Sequence, residues 1–191
     1  MSDTTEVVRR RPSRRLLIAV GAVAAVAVIA VVSVLTGGHV KTQNGQPISP
    51  LVGTTIKVFK ARGVTSDSVE SPWATGHPTV MVFFGSWCTI CHTEMPKIAT
   101  YLSTHDVAPV SVFGDDNNEP LGDAQAFVKK LGLTFPVASD PNNSISVGLF
   151  GFSFGDPETV FLNKHGVVEE VHLGAISIKE FREGIAALKD A

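Results

Sequence analysis

The chain of 191 residues holds only two cysteines, one tyrosine and two tryptophans. A small secreted scaffold stapled by disulfides needs several cysteines at wide spacing, so that class is excluded. Cys88 and Cys91 lie three apart, and a bridge closing so short a loop constrains the unfolded chain little. The pair therefore reads as chemistry and not as a staple. No second ligand pair stands at finger-like spacing to join Cys88, Cys91 and His92 in a zinc site, and His39 and His77 are isolated. No metal and no cofactor is expected. Basic runs are also missing from the body of the chain. Beyond residue 36, 11 Lys and Arg face 16 Asp and Glu, a balance that argues against nucleic-acid binding. Internal repeats and low-complexity tracts are absent.

Positive charge collects instead at the start, where Arg9, Arg10, Arg11, Arg14 and Arg15 face only Asp3 and Glu6. An apolar run follows from Leu16 to Leu35, interrupted only by Gly21 and Ser33. As a helix it measures about 30 Å, the thickness of a bilayer core. The positive-inside rule then predicts a cytoplasmic basic tail over 1–15, a single-pass signal-anchor across the cell membrane over 16–36, and a domain outside the cytoplasm. Two alternatives share that outcome. Thr36–Gly37–Gly38 offers small residues for signal cleavage, and Ser13–Leu17 resembles a weak twin-arginine signal. No cysteine lies near enough for a lipid anchor. Residues 37–50, with Gly, Pro and Asn and no periodicity, read as a linker to a domain over 51–191.

Within that domain Thr54–Phe59 alternates weakly, as a strand does. Thr79–Phe84 (TVMVFF) is a continuous β-branched and aromatic run, the pattern of a strand buried on both faces. Helical spacing of Ile90, Met95, Ile98, Ala99 and Leu102 predicts a helix over Thr89–Thr104, kinked at Pro96. Val107–Phe113 reads as a second buried strand, Gly114–Pro120 as a loop and Leu121–Leu131 as an amphipathic helix. Phe135–Ala138 is short and extended, and Ser144–Phe150 fits a short helix. Two strands, Glu158–Asn163 and Val167–Leu173, flank a turn. Ser177 and Glu180 form a capping box for a last helix. The order predicts an α/β fold: a central mixed β-sheet, covered on both faces and flanked by helices.

The chemistry lies at Trp87–Cys88–Thr89–Ile90–Cys91, where a buried strand gives way to a helix. Cys88 at the helix N-terminus is favoured as a thiolate by free N–H groups and the helix dipole. Cys91, one turn deeper, is more shielded. Cys88 is then the nucleophile that attacks a disulfide, and Cys91 resolves the mixed disulfide. The run Cys88-x-x-Cys91-His92 also matches c-type haem attachment, with His105, His165 and His172 conceivable as axial ligands. A cytochrome has no need of a buried strand feeding straight into the motif. His92 reads better as an exposed helix residue.

Gly76–Pro96 (GHPTVMVFFGSWCTICHTEMP) resembles the active-site segment of extracytoplasmic thioredoxin-like proteins of the TlpA, ResA and DsbE (CcmG) type. Gly155–Gly166 (GDPETVFLNKHG) resembles a second segment of that family, nearest to its DsbE branch, and Val171–Gly174 fits as well. The resemblance covers about Leu51 to Ala191, and two separated motifs in order are far more specific than a lone C-x-x-C. It implies a thioredoxin fold and a redox-active Cys88–Cys91 disulfide. It implies that Pro157 is a cis-proline facing the dithiol, where residues 1 in 20 or so would be cis by chance. Glu94 takes the place of the family's active-site acid, against the plain alternative of a solvated carboxylate. Trp87 and Asp156 are implied to meet the substrate; core packing is the alternative for Trp87. Protein thiols and disulfides outside the cytoplasm become the expected substrates, apocytochrome c among them, with a membrane electron-transfer protein as redox partner.

Some positions depart from the family. Asp156 stands where a small or apolar residue is usual, and with Glu94 and Glu158 it gathers acids near Cys88. Negative charge there disfavours a thiolate and predicts a more reducing dithiol. Thr89–Ile90 is not a common intervening pair, and the segment after Leu51 matches poorly. A dithiol oxidase that introduces disulfides is the rival reading, since its active-site residues can be identical. A peroxidase would need P-x-x-x-T/S-x-x-C, and Met81 and Gly85 break that motif. A non-catalytic binding or redox-sensing module would not need the intact dithiol with its acid and proline.

Overall fold

The computed structural model describes residues 42–43, 46–47, 49–152 and 155–190. The basic tail, the signal-anchor and the first part of the linker, up to residue 41, lie outside the described residues. Among the described residues no helix is long and apolar enough to cross a membrane.

Two short hairpins come first, β1 (Thr42–Gln43) with β2 (Gln46–Pro47) and β3 (Lys60–Ala61) with β4 (Val69–Glu70). A single 3-10 turn, Pro72–Thr75, leads into β5 (Thr79–Phe84). Then follow α1 (Cys91–Thr104), β6 (Ser111–Asn117), α2 (Leu121–Leu131), β7 (Val137–Asp140), β8 (Glu158–Leu162), β9 (Val168–Leu173) and α3 (Ile178–Lys189). The main sheet has the order β7-β6-β5-β8-β9. β5, β6 and β7 are parallel, β8 runs antiparallel to β5, and β9 antiparallel to β8. This is the mixed sheet expected from alternating elements closed by a hairpin, and it is a thioredoxin-like α/β fold.

Every residue of β5 is buried, as its unbroken apolar run predicts. The period-2 alternation of a strand sends Val80, Val82 and Phe84 to one face and Met81 and Phe83 to the other. Met95 and Ile98 of α1, Phe127 of α2 and Phe181 and Ile185 of α3 join the first set. All three helices thus pack on one face. The second face is covered by Trp73 of the 3-10 turn and by Ile56, Ile145 and Phe150 from irregular segments. Each fully buried Phe contributes about 1.5–3 kcal/mol relative to exposure. α3 lies so close to the sheet that a Cβ at Gly184 would stand 2.2 Å from the Phe161 ring, so this helix position accepts only glycine.

Ser177 accepts from the Glu180 N–H at 3.2 Å, and the Glu180 carboxylate accepts from the Ser177 N–H at 3.0 Å, completing the capping box of α3. α1 continues through Pro96. Several boundaries differ from the sequence reading: β6 starts at Ser111 and not at Val107, β7 is Val137–Asp140 and not Phe135–Ala138, and the linker stretch carries β1 and β2. Thr54–Phe59 forms only an isolated bridge, Thr55 to Val167, since it lies alongside the end of the hairpin and pairs too briefly. α1 begins at Cys91 and not at Thr89, because Thr89 and Ile90 form the preceding turn. Gly114–Asn117 is strand and not loop: parallel pairing with β5 and β7 continues to Asn117 and overrides the turn-like composition. Ser144–Phe150 makes turns with mixed i−4 and i−5 bonds instead of a helix. The Asp140 carboxylate holds the start of that segment, accepting from the N–H groups of Ser144, Ile145 and Ser146 and from both serine hydroxyls at 2.6–3.1 Å.

Candidate active site at the end of the central strand

β5 delivers the chain to the rim of the sheet, and Gly85–Ile90 turns it into α1. Cys88 and Cys91 are joined as a disulfide across a Cα–Cα distance of 5.3 Å. The Cys91 N–H donates to the Cys88 sulfur at 3.1 Å. Cys88 therefore precedes the helix it was expected to open, yet its sulfur still receives a free first-turn donor. Cys88 is 5% exposed and Cys91 fully buried, so only the first sulfur can be reached from outside. The Asp156–Pro157 bond is cis, and the Asp156 carbonyl oxygen lies 3.4 Å from the Cys88 sulfur, close enough to accept from its thiol when reduced.

The loop before Cys88 is fastened from two sides. Both the N–H and the hydroxyl of Ser86 donate to Glu119, the former at 2.6 Å. The Ser86 carbonyl accepts from His92 Nε2 at 2.8 Å, and the exposed His92 ring also meets Phe127 edge-on. Trp87 is half-exposed, which answers the core-packing alternative, and its Nε1–H donates to the Asn117 carbonyl at 3.1 Å. Its ring lies over Gly85, where a Cβ would come within 2.3 Å of it. Asn117 in turn donates from Nδ2 to Asp156 Oδ1 at 3.1 Å.

Glu94 lies one turn after Cys91 and is buried, not solvated. Its Oε1 accepts from the Ile176 N–H at 2.7 Å, while Oε2 has no partner. Burial raises its pKa above the ordinary carboxylate range, against the opposing pull of the Ile176 bond and of His172 and Lys97. Asp116, both of whose oxygens are unpartnered, is pushed up to about 9 by burial and by neighbouring carboxylates, Glu119 foremost. Burial also raises Asp156, and it takes Glu158 to about 8, helped by the contact between the two. Asp115, buried in mid-strand with both oxygens unpartnered, is raised furthest by burial and then by Asp140, Asp156 and Asp116.

The structure thus brings Trp87, Cys88, Cys91, Asp156 and Pro157 together, with Glu94 behind Cys91 on the same helix face. The sequence reading missed Ser86, Asp116, Asn117 and Glu119. Its only available signal was that the carboxyl ends of parallel strands carry the site residues in α/β sheets. Among the described residues no group of His, Cys, Asp and Glu is arranged to hold a metal ion.

A dithiol between a central strand and its helix, opposite a cis-proline, is the arrangement of the thioredoxin-like thiol–disulfide oxidoreductases, and the protein is an enzyme of that class. The chain belongs to the AhpC/TSA family, whose model matches residues 52–171. It is similar to the thiol-disulfide oxidoreductase ResA of Halalkalibacterium halodurans, 27% identical over 128 residues that span 65% of this chain and 72% of the relative. It is also similar to the thiol:disulfide interchange protein DsbE of Vibrio cholerae, 23% identical over 73% of this chain and 74% of that one. Among solved structures, a secreted Mycobacterium tuberculosis disulfide oxidoreductase homologous to DsbE shares the fold. It has a TM-score of 0.59 and 24% identity over 68% of this chain and 96% of its own.

Proposed function

We propose that the protein reduces disulfides in exported proteins, apocytochrome c during cytochrome c maturation among them. The domain of residues 51–191 works outside the cytoplasm, tethered by 37–50 to a membrane anchor at 16–36 with the basic tail inside. A membrane electron-transfer protein restores the dithiol. In each cycle the Cys88 thiolate attacks one sulfur of the substrate disulfide. A Cys88–substrate bond forms, the substrate S–S bond breaks, and the departing thiolate takes up a proton. Cys91 then gives its proton to Glu94 or solvent and attacks Cys88, releasing the second substrate thiolate. The substrate gains two electrons and the protein ends as the disulfide. Asp156 and the cis peptide of Pro157 hold the incoming polypeptide against Cys88, and Trp87 shapes its approach.

The observation that carries the direction is the acidic company of Cys88. Asp156 touches its sulfur through the main chain, Glu158 follows, and Asp116 and Glu119 lie beneath the preceding loop. Such surroundings give the thiolate little support beyond one N–H donor. A poorly stabilised thiolate makes the reduced form a better electron donor, the opposite of the DsbA case. Equilibrating the full chain with glutathione tests this. A potential near about −270 mV, as in thioredoxin, supports the reductant, and one near about −120 mV, as in DsbA, makes it an oxidase.

Glu94 supplies a second prediction. Burial raises its pKa and so favours the protonated carboxyl, as a group that passes a proton to and from Cys91 requires. Glu94→Gln keeps the oxygen that accepts from Ile176 but cannot ionise. The variant is expected to lose about 10²-fold in the rate of the Cys91 step, together with one limb of the pH–rate profile. An unchanged profile would remove Glu94 from proton transfer.

A further inference from the structure

Beside Cys88, on the far side of Asp156, lies a cleft of about 80 Å³. Trp87, Val147 and Phe152 give it apolar walls, and Asn117, Asp156 and Glu158 give it polar ones. Among the described residues no Lys, Arg or His lines it. Its volume is well below the roughly 300–1,000 Å³ of a small-molecule site and suits one side chain.

We propose that this cleft is a specificity subsite that takes a lysine or arginine side chain flanking the reactive cysteine of a substrate polypeptide. The inference rests on the reading of Cys88 as the nucleophile toward protein disulfides. Asp156 is the hinge of the argument. Its carbonyl oxygen lies 3.4 Å from the Cys88 sulfur, and its side chain lines the cleft. A substrate cysteine bonded to Cys88 therefore has the next residues of its chain, about 3.3 Å apart when extended, at the cleft mouth.

The lining selects for a cation. Glu158 is 4% exposed and faces the cleft, and neither Glu158 Oε2 nor Asp156 Oδ2 receives an amide or hydroxyl donor. The two carboxyls line the same wall of the cleft, and burial raises both of them. An ammonium or guanidinium entering the cleft donates to these unpartnered oxygens and favours their ionised form. Trp87, Val147 and Phe152 meanwhile cover the methylene stem, and the indole face attracts the cationic head. A glutamate in the same place meets like charge, and norleucine fills the walls but leaves the carboxyls unpaired.

Three disulfide peptides test the subsite, identical except for Lys, norleucine or Glu at the two positions on each side of the cysteine. Reduced full-chain protein is mixed with each, and kcat/KM for disulfide reduction is measured. The lysine peptide is expected to react about 10-fold faster than the norleucine peptide, and the glutamate peptide slower than both. The Lys-to-norleucine ratio should fall toward 1 in Glu158→Gln and in Asp156→Asn, whatever happens to the absolute rates. In the wild type it should also shrink as salt rises, a readout that needs no variant. Equal rates for lysine and norleucine, or a ratio insensitive to salt, overturns the subsite. If none of the three peptides is reduced, the disulfide-reductase reading fails instead.

Discussion

Cys88→Ser is expected to abolish disulfide exchange, a loss of at least about 10³-fold, whereas Cys91→Ser should trap substrates as stable mixed disulfides. The asymmetry follows from access and from a single hydrogen bond. Cys88 retains a little exposure at the rim, next to the cis peptide, and accepts the Cys91 N–H. Cys91 is sealed beneath it among Met95, Phe84 and Phe181, where no outside disulfide reaches. Its part begins only when Cys88 already holds a partner. Mass spectrometry of non-reduced Cys91→Ser after incubation with a disulfide substrate should show the adduct at residue 88. An adduct at residue 91 of Cys88→Ser, or substantial turnover by that variant, would falsify the assignment of the two roles.

Removing one buried acid should make the protein more stable in mild alkali. Asp116 has an ordinary pKa of 3.8 and is raised to about 9 in the folded chain. Below pH 4 the carboxyl is neutral in both states and costs nothing extra. Between pH 4 and 9 the unfolded chain releases the proton while the folded chain keeps it. The folded state then binds more protons, and stability declines with rising pH by up to about 1.4 kcal/mol per unit. Above pH 9 both forms are ionised and the decline ends. Asp116→Asn takes this group out of the balance and leaves the shape nearly unchanged. A gain of several kcal/mol at pH 8.5, with little change at pH 4, is expected from denaturant unfolding at the two values. Equal gains at both values would show that packing, not ionisation, controls the site. Asp115→Asn should act in the same direction, because burial and three neighbouring acids raise that group further still.

These acids also mark the limit of what the sequence discloses. Thr79–Phe84 declared its strand because six apolar residues in a row leave little choice of environment. The dithiol and the Ser177–Glu180 box are local patterns whose chemistry needs no distant partner to be recognised, whereas the cis-proline at 157 was legible only through the family resemblance. Gly114–Asn117 was the reverse case. Taken alone, G-D-D-N is a turn, and its burial depends on pairing with β5 and β7 and on the contact of Glu119 with Ser86, 33 residues away. Composition places aspartates in water, and only the tertiary fold puts Asp115 and Asp116 inside. The start of α1 shifted for a smaller reason: Thr89 and Ile90 suit either a turn or a helix, and the Cys88–Cys91 bridge decides between them.

The segment hung from Asp140 has one more consequence. It brings Val147 and Phe152 to the cleft and Phe150 to the core, but it carries no part of the dithiol. Its base is fastened by a single carboxylate with five donors, all within six residues of Asp140. The loop is thus a self-contained cassette, held at its base by its own neighbours. Relatives could diverge in length and composition here, and so in the partners they choose, while the redox chemistry one strand away is inherited intact.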